Sequence, residues 1–525
     1  MEEPKSLSEL VDDAHMALFI PLELRAPDKS LDRLENVLKE ASTHGHPCPR
    51  DVLEFTFTEV YSKRTSRIKI PLEKDITISY IHEGEQRSVK MKITPLLTVF
   101  YDTESGNKDK IIPITYKNTI LFPAVLSLLI SEIKAEPADI LIDDLLIIPH
   151  HVLWPKKECR FSTEGKELTL EEYLESLKTS LQSHLKVPNL SIKFIEEGRM
   201  FVVNLRLKEK ALGSSESLRD VILESFPNEV YGLSVTDEGY HTVPKEYARR
   251  RMEEWSWTTR NYMLNVLSPV SIIQIKLNVD REGLEINRMN RCRTWEGYMK
   301  SQSRGSICEH GLYFKGEYIA LTFSTFHALE DILKETVGRA IPSAELREGK
   351  SASQEDTVID TVKELREFLE ELYSLKATFN KFLDLLQPSK VSRIPEVTVA
   401  LDKMYELRGL GSFSDSAREK IGDISEIIQA GSEIIEQNIE NQRLHNLEFG
   451  LGLADTFPIG YLLERVGVLD FINSHFGTGL KMEDSIVLMV LAIIAWSAWR
   501  GRTLKEMERF EIKNFVEMCR TRVFS

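Results

Sequence analysis

Cysteine is scarce in this chain and shows no pattern. The five cysteines of the 525 residues are widely scattered and include no CxxC pair. Such an arrangement predicts neither a disulfide framework nor a zinc ribbon, and it fits a reducing compartment. His44–Cys48 contains three candidate metal ligands, but zinc sites draw on two separated ligand pairs and no second pair is evident. We therefore predict no metal site and no cofactor.

Positive charge is also in short supply. The chain has 67 Lys and Arg residues against 82 Asp and Glu residues, for a net charge of −15. Nucleic-acid-binding proteins usually carry an excess of positive charge, which this chain does not have, so we expect no nucleic-acid partner. The apolar content of 42% is ample for a folded core, and the length suggests two or three domains.

Recognisable catalytic motifs are missing as well. Cys308 and His310 lie close together in the sequence, but a Cys–His nucleophile needs hydrogen-bonding geometry that such positions on one strand do not supply. We therefore expect a protein without enzymatic activity. The first residues, Met1–Ser6, do not form a basic segment followed by an apolar core. No signal peptide is predicted, and the N-terminal part is expected in the cytoplasm.

Long hydrophobic runs are nearly absent, with one exception near the C terminus. Ser485–Trp499 contains no charged residue over its 15 positions. A helix of this length is roughly 22 Å long, shorter than the hydrocarbon core of a bilayer, which is roughly 30 Å thick. Trp496 and Trp499 suit the headgroup level, and Arg500 and Arg502 can extend outward, so these four are predicted interfacial anchors. A buried helix of a soluble bundle remains the alternative.

A second apolar stretch, Phe449–Leu463, precedes this run and is rich in glycine. Its one carboxylate, Asp455, would cost about 2.5–3.5 kcal/mol at mid-bilayer unless it faced a pore or a partner, so Asp455 is the candidate pore residue. Two crossings place the basic flank after Trp499 on the side of the N-terminal domain. We predict a membrane hairpin over 448–500 and a cytoplasmic basic tail over 501–525.

The first 140 residues are predicted to form an α/β domain. Met16–Leu24 has the pattern of a strand and Ser30–Ser42 that of a helix. Alternating segments between Val52 and Thr115 predict an antiparallel meander. The continuous apolar run Ile120–Ile133 is predicted as a core helix.

A second α+β unit is predicted over 141–346, because helical and strand-like segments are mixed there. Its predicted elements are the helices Leu170–Leu185 and Ser215–Glu224 and the strands Ile192–Ile195, Met200–Leu207, Ile272–Leu277 and Tyr318–Phe323. The predicted fold class is therefore α+β, with an N-terminal mixed α/β region, a long helical stalk and a C-terminal helical hairpin in the membrane.

Acidic, basic and aromatic residues are mixed over 231–257. A polar face for a small ligand or an ion could be built from Asp237, Glu238, His241, Arg249, Arg250 and Trp255. The same pattern fits a turn that leads into an amphipathic helix whose tryptophans pack in the core. The sequence leaves both interpretations open.

Helical periodicity is clearest between Val358 and Leu386. Apolar residues recur there every three or four positions over about four heptads. This pattern predicts a coiled-coil or helical stalk over 355–447, interrupted by Pro388 and Pro395. The helix could mediate self-association with a second copy or pack within one chain.

The order of these parts resembles the CorA-like family of membrane proteins. A cytoplasmic α/β domain, long stalk helices and two closely spaced C-terminal membrane segments with a basic tail carry the resemblance. It implies a homo-oligomer that conducts ions. The family's Gly-Met-Asn motif after the first membrane segment is absent, since Tyr461–Asp470 contains nothing comparable. No pore residue is therefore transferred from the family.

A fainter resemblance covers 449–515. Leu462–Leu469 and Arg502–Phe510 are similar to the helical region ahead of the catalytic core in some insertion-sequence transposases. The residues after Phe510 leave no room for a catalytic domain, so this resemblance implies a truncated or fused remnant.

We therefore expect a membrane-anchored oligomeric protein with a cytoplasmic sensing or interaction domain, with a CorA-like ion-conducting assembly as its most specific form. Its expected partners are lipid, a second copy of the chain and an unidentified small ligand or ion. The alternatives are a soluble helical-bundle scaffold and a fusion with the transposase remnant.

Overall fold

The computed structural model describes most of the chain. The described residues are 6–30, 65–69, 74–82, 84–102, 110–111, 114–116, 119–136, 140–153, 161–163, 166–208, 217–257, 263–277, 312–340, 362–391, 395–465 and 482–524, with the single positions 32, 33, 36 and 474. His44–Cys48, Cys308, His310 and most of the predicted helix Ser30–Ser42 lie outside them. The described strands and helices form a mixed sheet flanked by helices, which confirms the α+β class.

The described strands belong to one mixed sheet. They are β1 (Val11–Pro27), β2 (Thr65–Lys69), β3 (Lys74–His82), β4 (Glu85–Asp102), β5 (Lys110–Ile111), β6 (Ile114–Tyr116), β7 (Thr119–Glu136), β8 (Phe161–Thr163), β9 (Lys166–Leu168), β10 (Ser191–Phe194), β11 (Met200–Leu207), β12 (Met263–Leu267) and β13 (Ser271–Leu277). The order along the sheet is β12-β13-β11-β1-β7-β4-β3-β8-β9. Strands β11 and β13 pair in parallel, whereas β1 pairs antiparallel with β7 and β11.

The described α-helices lie mainly in the second half of the chain. They are α1 (Ile142–Leu153), α2 (Leu170–Leu185), α3 (Leu218–Ser225), α4 (Pro227–Val235), α5 (Lys245–Trp255), α6 (Leu312–Ala340), α7 (Val362–Leu385), α8 (Pro388–Val391), α9 (Pro395–Leu407), α10 (Leu410–Arg465) and α11 (Met482–Phe524). Helices α8 and α9 both begin at the prolines that were predicted to interrupt the stalk, because proline fits the first turn of a helix and not its interior.

Most predicted elements of the sheet region are confirmed. The strands predicted at Met16–Leu24, Ile192–Ile195, Met200–Leu207 and Ile272–Leu277 and the helix at Leu170–Leu185 match observed elements. Helix α2 begins at its predicted residue because Thr169 forms a capping box with Glu172, in which each side chain accepts from the other's backbone N–H.

Two predicted elements are wrong. The predicted helix Ile120–Ile133 is the central strand β7, which is paired with β1 and β4 and buried on both faces. A continuous apolar run does not distinguish such a strand from a buried helix. The predicted strand Tyr318–Phe323 lies within α6, because a six-residue apolar window is too short to show a helical period.

The chain divides into two compact units. The first combines Met1–Glu330 with Lys381–Asp415, and the second combines Asp331–Asn380 with Ser416–Ser525. The first unit contains the sheet. Strands on both sides of the expected boundary at 140 and 141 belong to this sheet, because β11 pairs with β1.

Helices cover both faces of the sheet in the first unit. One face carries the main hydrophobic core, to which helices α1–α5 contribute residues such as Leu145, Leu177 and Trp255. Helix α6 packs on the other face, where Gly316 leaves no room for a Cβ: such an atom would lie 2.7 Å from the Phe19 ring. The Ser324 hydroxyl of α6 donates a 2.7 Å hydrogen bond to the Leu22 carbonyl oxygen.

A buried ion pair connects β4 to α1. The Arg87 guanidinium donates to both carboxylate oxygens of Asp144, at 2.7 and 3.1 Å, and the Tyr80 hydroxyl donates to the same carboxylate at 2.6 Å. The Asp144 side chain is fully buried. Burial, followed by the neighbouring carboxylate, raises the pKa of the Tyr80 hydroxyl.

Arg87→Gln should lower the free energy of unfolding by about 3–5 kcal/mol, because it leaves the Asp144 carboxylate buried without its guanidinium. Lys90→Gln is the matched control: Lys90 lies on the same strand, but its ion pair with Glu136 is exposed, so the loss should stay below about 1 kcal/mol. Thermal unfolding of the purified protein compares the two. Equal losses would contradict a structural role for the buried pair.

Candidate membrane-inserting hairpin

The second unit is built around two long antiparallel helices, α10 and α11. Near the base of this hairpin the Arg522 guanidinium lies 3.1 Å from the Asp423 carboxylate. Further along, Arg500 lies 3.1 Å from Glu448. The contacts run in opposite directions along the two helices, so α10 and α11 stay side by side from Asp423 to Glu448 on one helix and from Arg500 to Arg522 on the other.

The base of the hairpin is a packed bundle that includes α7. The rings of Phe368 and Phe515 meet edge to face at 6.4 Å. Gly431 of α10 lies between Leu369 and Phe515, and a Cβ at this position would be 2.8 Å from Leu369 and 3.2 Å from Phe515. Close approach of the three helices therefore depends on a residue without a side chain.

Exposure changes along the hairpin, from a buried base to an apolar, exposed tip. Among the described residues, Val487–Cys519 is the one helical stretch long and apolar enough to cross a membrane, and none of its apolar window is buried. The large apolar side chains exposed in this region are Leu451, Tyr461, Val487, Leu488, Leu491, Ile494, Trp496 and Trp499. They lie on both helices, so the tip presents apolar surface from each arm.

The predicted anchors lie where the apolar run of α11 ends. Trp499 is 65% exposed, and the Arg500 guanidinium stacks over the Trp496 ring at 5.2 Å from its centre. Arg502 is exposed one turn after Trp499. The structure therefore brings Trp496 and Arg500 into contact and leaves Trp499 and Arg502 exposed.

The first arm of the predicted hairpin is part of one continuous helix. Helix α10 runs through Pro458 to Arg465 without a break. Asp455 lies on this arm and is exposed. A carboxylate therefore stands on the surface of the same hairpin tip that exposes the apolar side chains.

The apolar positions of the predicted stalk helix are buried within this chain. Leu365, Leu369, Leu372, Leu375 and Phe379 of α7 are all at most 6% exposed. Val358 lies outside the described residues. These side chains are already packed in a single copy, as in the intramolecular alternative.

The predicted ligand face divides between a turn and helix α5. Asp237 caps the 3-10 helix Glu238–Thr242 through the Gly239 N–H. The exposed His241 lies 3.9 Å from the Asp143 carboxylate.

On α5, Arg249 pairs with Glu253 four residues later at 3.1 Å. Arg250 is exposed, and Trp255 is buried and stacked on Tyr231. Asp237, Arg249 and Trp255 therefore have local structural roles, as in the alternative of a turn that leads into an amphipathic helix.

Sequence reasoning missed a group of buried polar residues on the sheet, including Asn204, Arg206, Gln274 and Lys276. The signal was present in the alternation of polar and apolar residues along β11 and β13. Such alternation usually indicates a solvent-facing side, and burial of the polar side was not predictable.

Comparison with protein-family models, with curated proteins and with solved structures found no match to this chain. Its function is therefore inferred from its own residues and their geometry.

Gly431→Ala should destabilise the second unit by about 1–3 kcal/mol, because the added methyl group overlaps Leu369 and crowds Phe515. Gly422→Ala in the same helix is the control. It meets no atom within 4 Å, and it should stabilise the helix by about 0.5–1 kcal/mol. Thermal unfolding of the full-length protein in detergent measures both. Shifts of the same sign would contradict the packed three-helix base.

Proposed function

We propose that this chain is a membrane-anchored protein whose α10–α11 hairpin inserts tip first into a bilayer, with the α+β unit in the cytoplasm. The observation that supports the proposal is that no part of the apolar window on the candidate membrane helix is buried. The core helix of a soluble protein would instead be mostly buried.

The exposed surface has a large free-energy cost in water. Eight large apolar side chains are exposed on the tip, and removing them from water would contribute on the order of 10 kcal/mol in total. Contiguous apolar patches of this kind mark membrane or protein interaction sites. Because both arms are helical, their backbone groups are satisfied internally, as a lipid environment requires.

The polar residues near the end of the apolar run fit the edge of a membrane. Tryptophan rings and arginine side chains favour the interface between hydrocarbon and water. Arg500 stacks on Trp496, Trp499 is exposed next to it in the sequence, and the ion pair between Arg500 and Glu448 fixes both arms at one depth. We infer that the membrane surface lies at this level and that the α+β unit has a sensing or interaction role.

Leu491→Lys should reduce the membrane-integrated fraction, because a lysine at the centre of the inserted helix costs about 2.5–3.5 kcal/mol. Met507→Lys is the matched control: Met507 is about as exposed as Leu491 and lies on the same helix, but beyond the anchors. Carbonate extraction of membranes followed by immunoblotting measures the fraction. Wild-type protein that stays soluble without detergent would support the soluble scaffold instead.

A second candidate function is ion conduction by a homo-oligomer of CorA-like architecture. The exposed Asp455 on the apolar arm favours it, because hydrocarbon penalises a carboxylate and a water-filled path between copies would solvate it. Since the apolar residues of α7 are packed within the chain, we propose that copies meet through the hairpin.

Asp455→Asn should lower cation flux into liposomes without changing insertion, because it removes the charge that attracts cations to the path. Glu448→Gln serves as the control, since Glu448 is paired with Arg500 at the interface and not on the apolar tip. Flux is measured with an ion-sensitive dye. The absence of cation flux into liposomes that contain the wild-type protein would rule out the channel without affecting the proposal of a membrane anchor.

A further inference from the structure

Positive charge is concentrated at one level of the α10–α11 hairpin, directly behind its apolar tip. The ion pair between Arg500 and Glu448 and the antiparallel course of the two helices place residues 441–448 of α10 beside residues 499–505 of α11. We call these two stretches the basic band. They contain four cations and one carboxylate, namely Arg443, Arg500, Arg502, Lys505 and Glu448.

Three of these cations lie at the surface of the hairpin. The Arg500 guanidinium is held by the Glu448 carboxylate at 3.1 Å. Arg443, Arg502 and Lys505 are exposed, and none of the three forms an ion pair within the described part of the chain. Their charges are therefore available to an anion outside the protein.

The charge changes sign toward the base of the hairpin. Residues 433–440 of α10 contain three carboxylates and no cation, and residues 506–511 of α11 contain three carboxylates and one arginine. The whole chain carries a net charge of −15. An anionic surface therefore attracts the basic band and repels the stretches beyond it, and this contrast favours one depth of insertion.

The basic band also presents apolar side chains. Leu444 and Leu447 are 49% and 61% exposed, and Trp499 is 65% exposed. Arg443 lines one shallow groove on α10 together with Leu444 and Leu447. A surface that combines arginine, leucine and tryptophan suits the headgroup layer, where aliphatic stems and rings contact acyl chains while charges stay in the polar region. A dissolved anion would leave these apolar side chains in water, whereas a lipid covers them.

We propose that the basic band binds the headgroups of anionic phospholipids, so that the hairpin prefers a bilayer of net negative surface charge. This inference rests on the proposed membrane insertion, because only an inserted tip brings the band to the level of the lipid phosphates. Arg443 and Arg502 can each donate two parallel N–H···O bonds to a phosphate, and Lys505 adds a point charge. A cation near such a surface strengthens binding about fivefold.

Quenching of tryptophan fluorescence by lipids with brominated acyl chains tests this preference. The full-length protein is reconstituted into mixed bilayers of phosphatidylcholine and phosphatidylglycerol, in which one lipid or the other carries the bromine. Bromine quenches by contact, so the signal comes from Trp496 and Trp499, the two tryptophans of the hairpin. Brominated phosphatidylglycerol should quench more, with a relative association constant of at least about five, and salt at about 1 M should remove the preference.

The same measurement separates this inference from the proposed function. The absence of quenching by either brominated lipid would place the tip outside the bilayer and overturn both. Equal quenching by the two brominated lipids would leave the membrane anchor in place and overturn the lipid preference.

Variants locate the binding in the basic band. Arg443→Gln, Arg502→Gln and Lys505→Gln combined should bring the relative association constant close to that of a protein without preference, because they remove the three exposed charges. Lys513→Gln is the matched control: Lys513 is exposed on the same helix, but about 12 Å beyond Lys505 toward the base, so the preference should remain. An undiminished preference in the triple variant would assign the lipid contact to other residues and overturn the proposal.

Discussion

Burial of the long central strands on both faces is the constraint on which the first unit depends. Strand β7 is buried continuously from Ile120 to Ile130, and its pairing with β1 and β4 satisfies its backbone groups on both sides. A sheet of this kind needs cover on each face. Helices α1–α5 contribute the cover of one face and α6 that of the other, with Gly316 packed against Phe19.

Because both faces of the sheet are buried, polar side chains on its strands are also removed from water. On a solvent-facing side, Asn204 and Lys276 would be hydrated and would carry no functional information. In this fold both residues are almost fully buried and lose water, so each needs a polar partner. The alternation of polar and apolar residues along β11 and β13 therefore indicates buried polar groups in this fold and not a solvent-facing side.

The hairpin, in contrast, leaves much of its apolar surface exposed. Its base is buried around Gly431, where close helix packing excludes water, while its tip exposes large apolar side chains on both arms. Apolar surface of this extent is stable in contact with lipid or another protein and is costly in water. Burial of the two arms ends at Asn438 on α10 and Ile512 on α11, and the pair of Arg500 with Glu448 lies further toward the tip.

The sequence by itself determined the elements with a strong local signal. The capping box at Thr169, the prolines that begin α8 and α9, and the uncharged run of α11 were all readable, because each depends on a few neighbouring residues. Tertiary structure decided the rest. Ile120–Ile133 became a strand because partners buried both its faces, and the apolar stripe of α7 packed within one chain. Asn204 and Gln274 are buried on the sheet face against which α6 packs at Gly316, and local sequence does not encode which face of a strand is covered by distant segments.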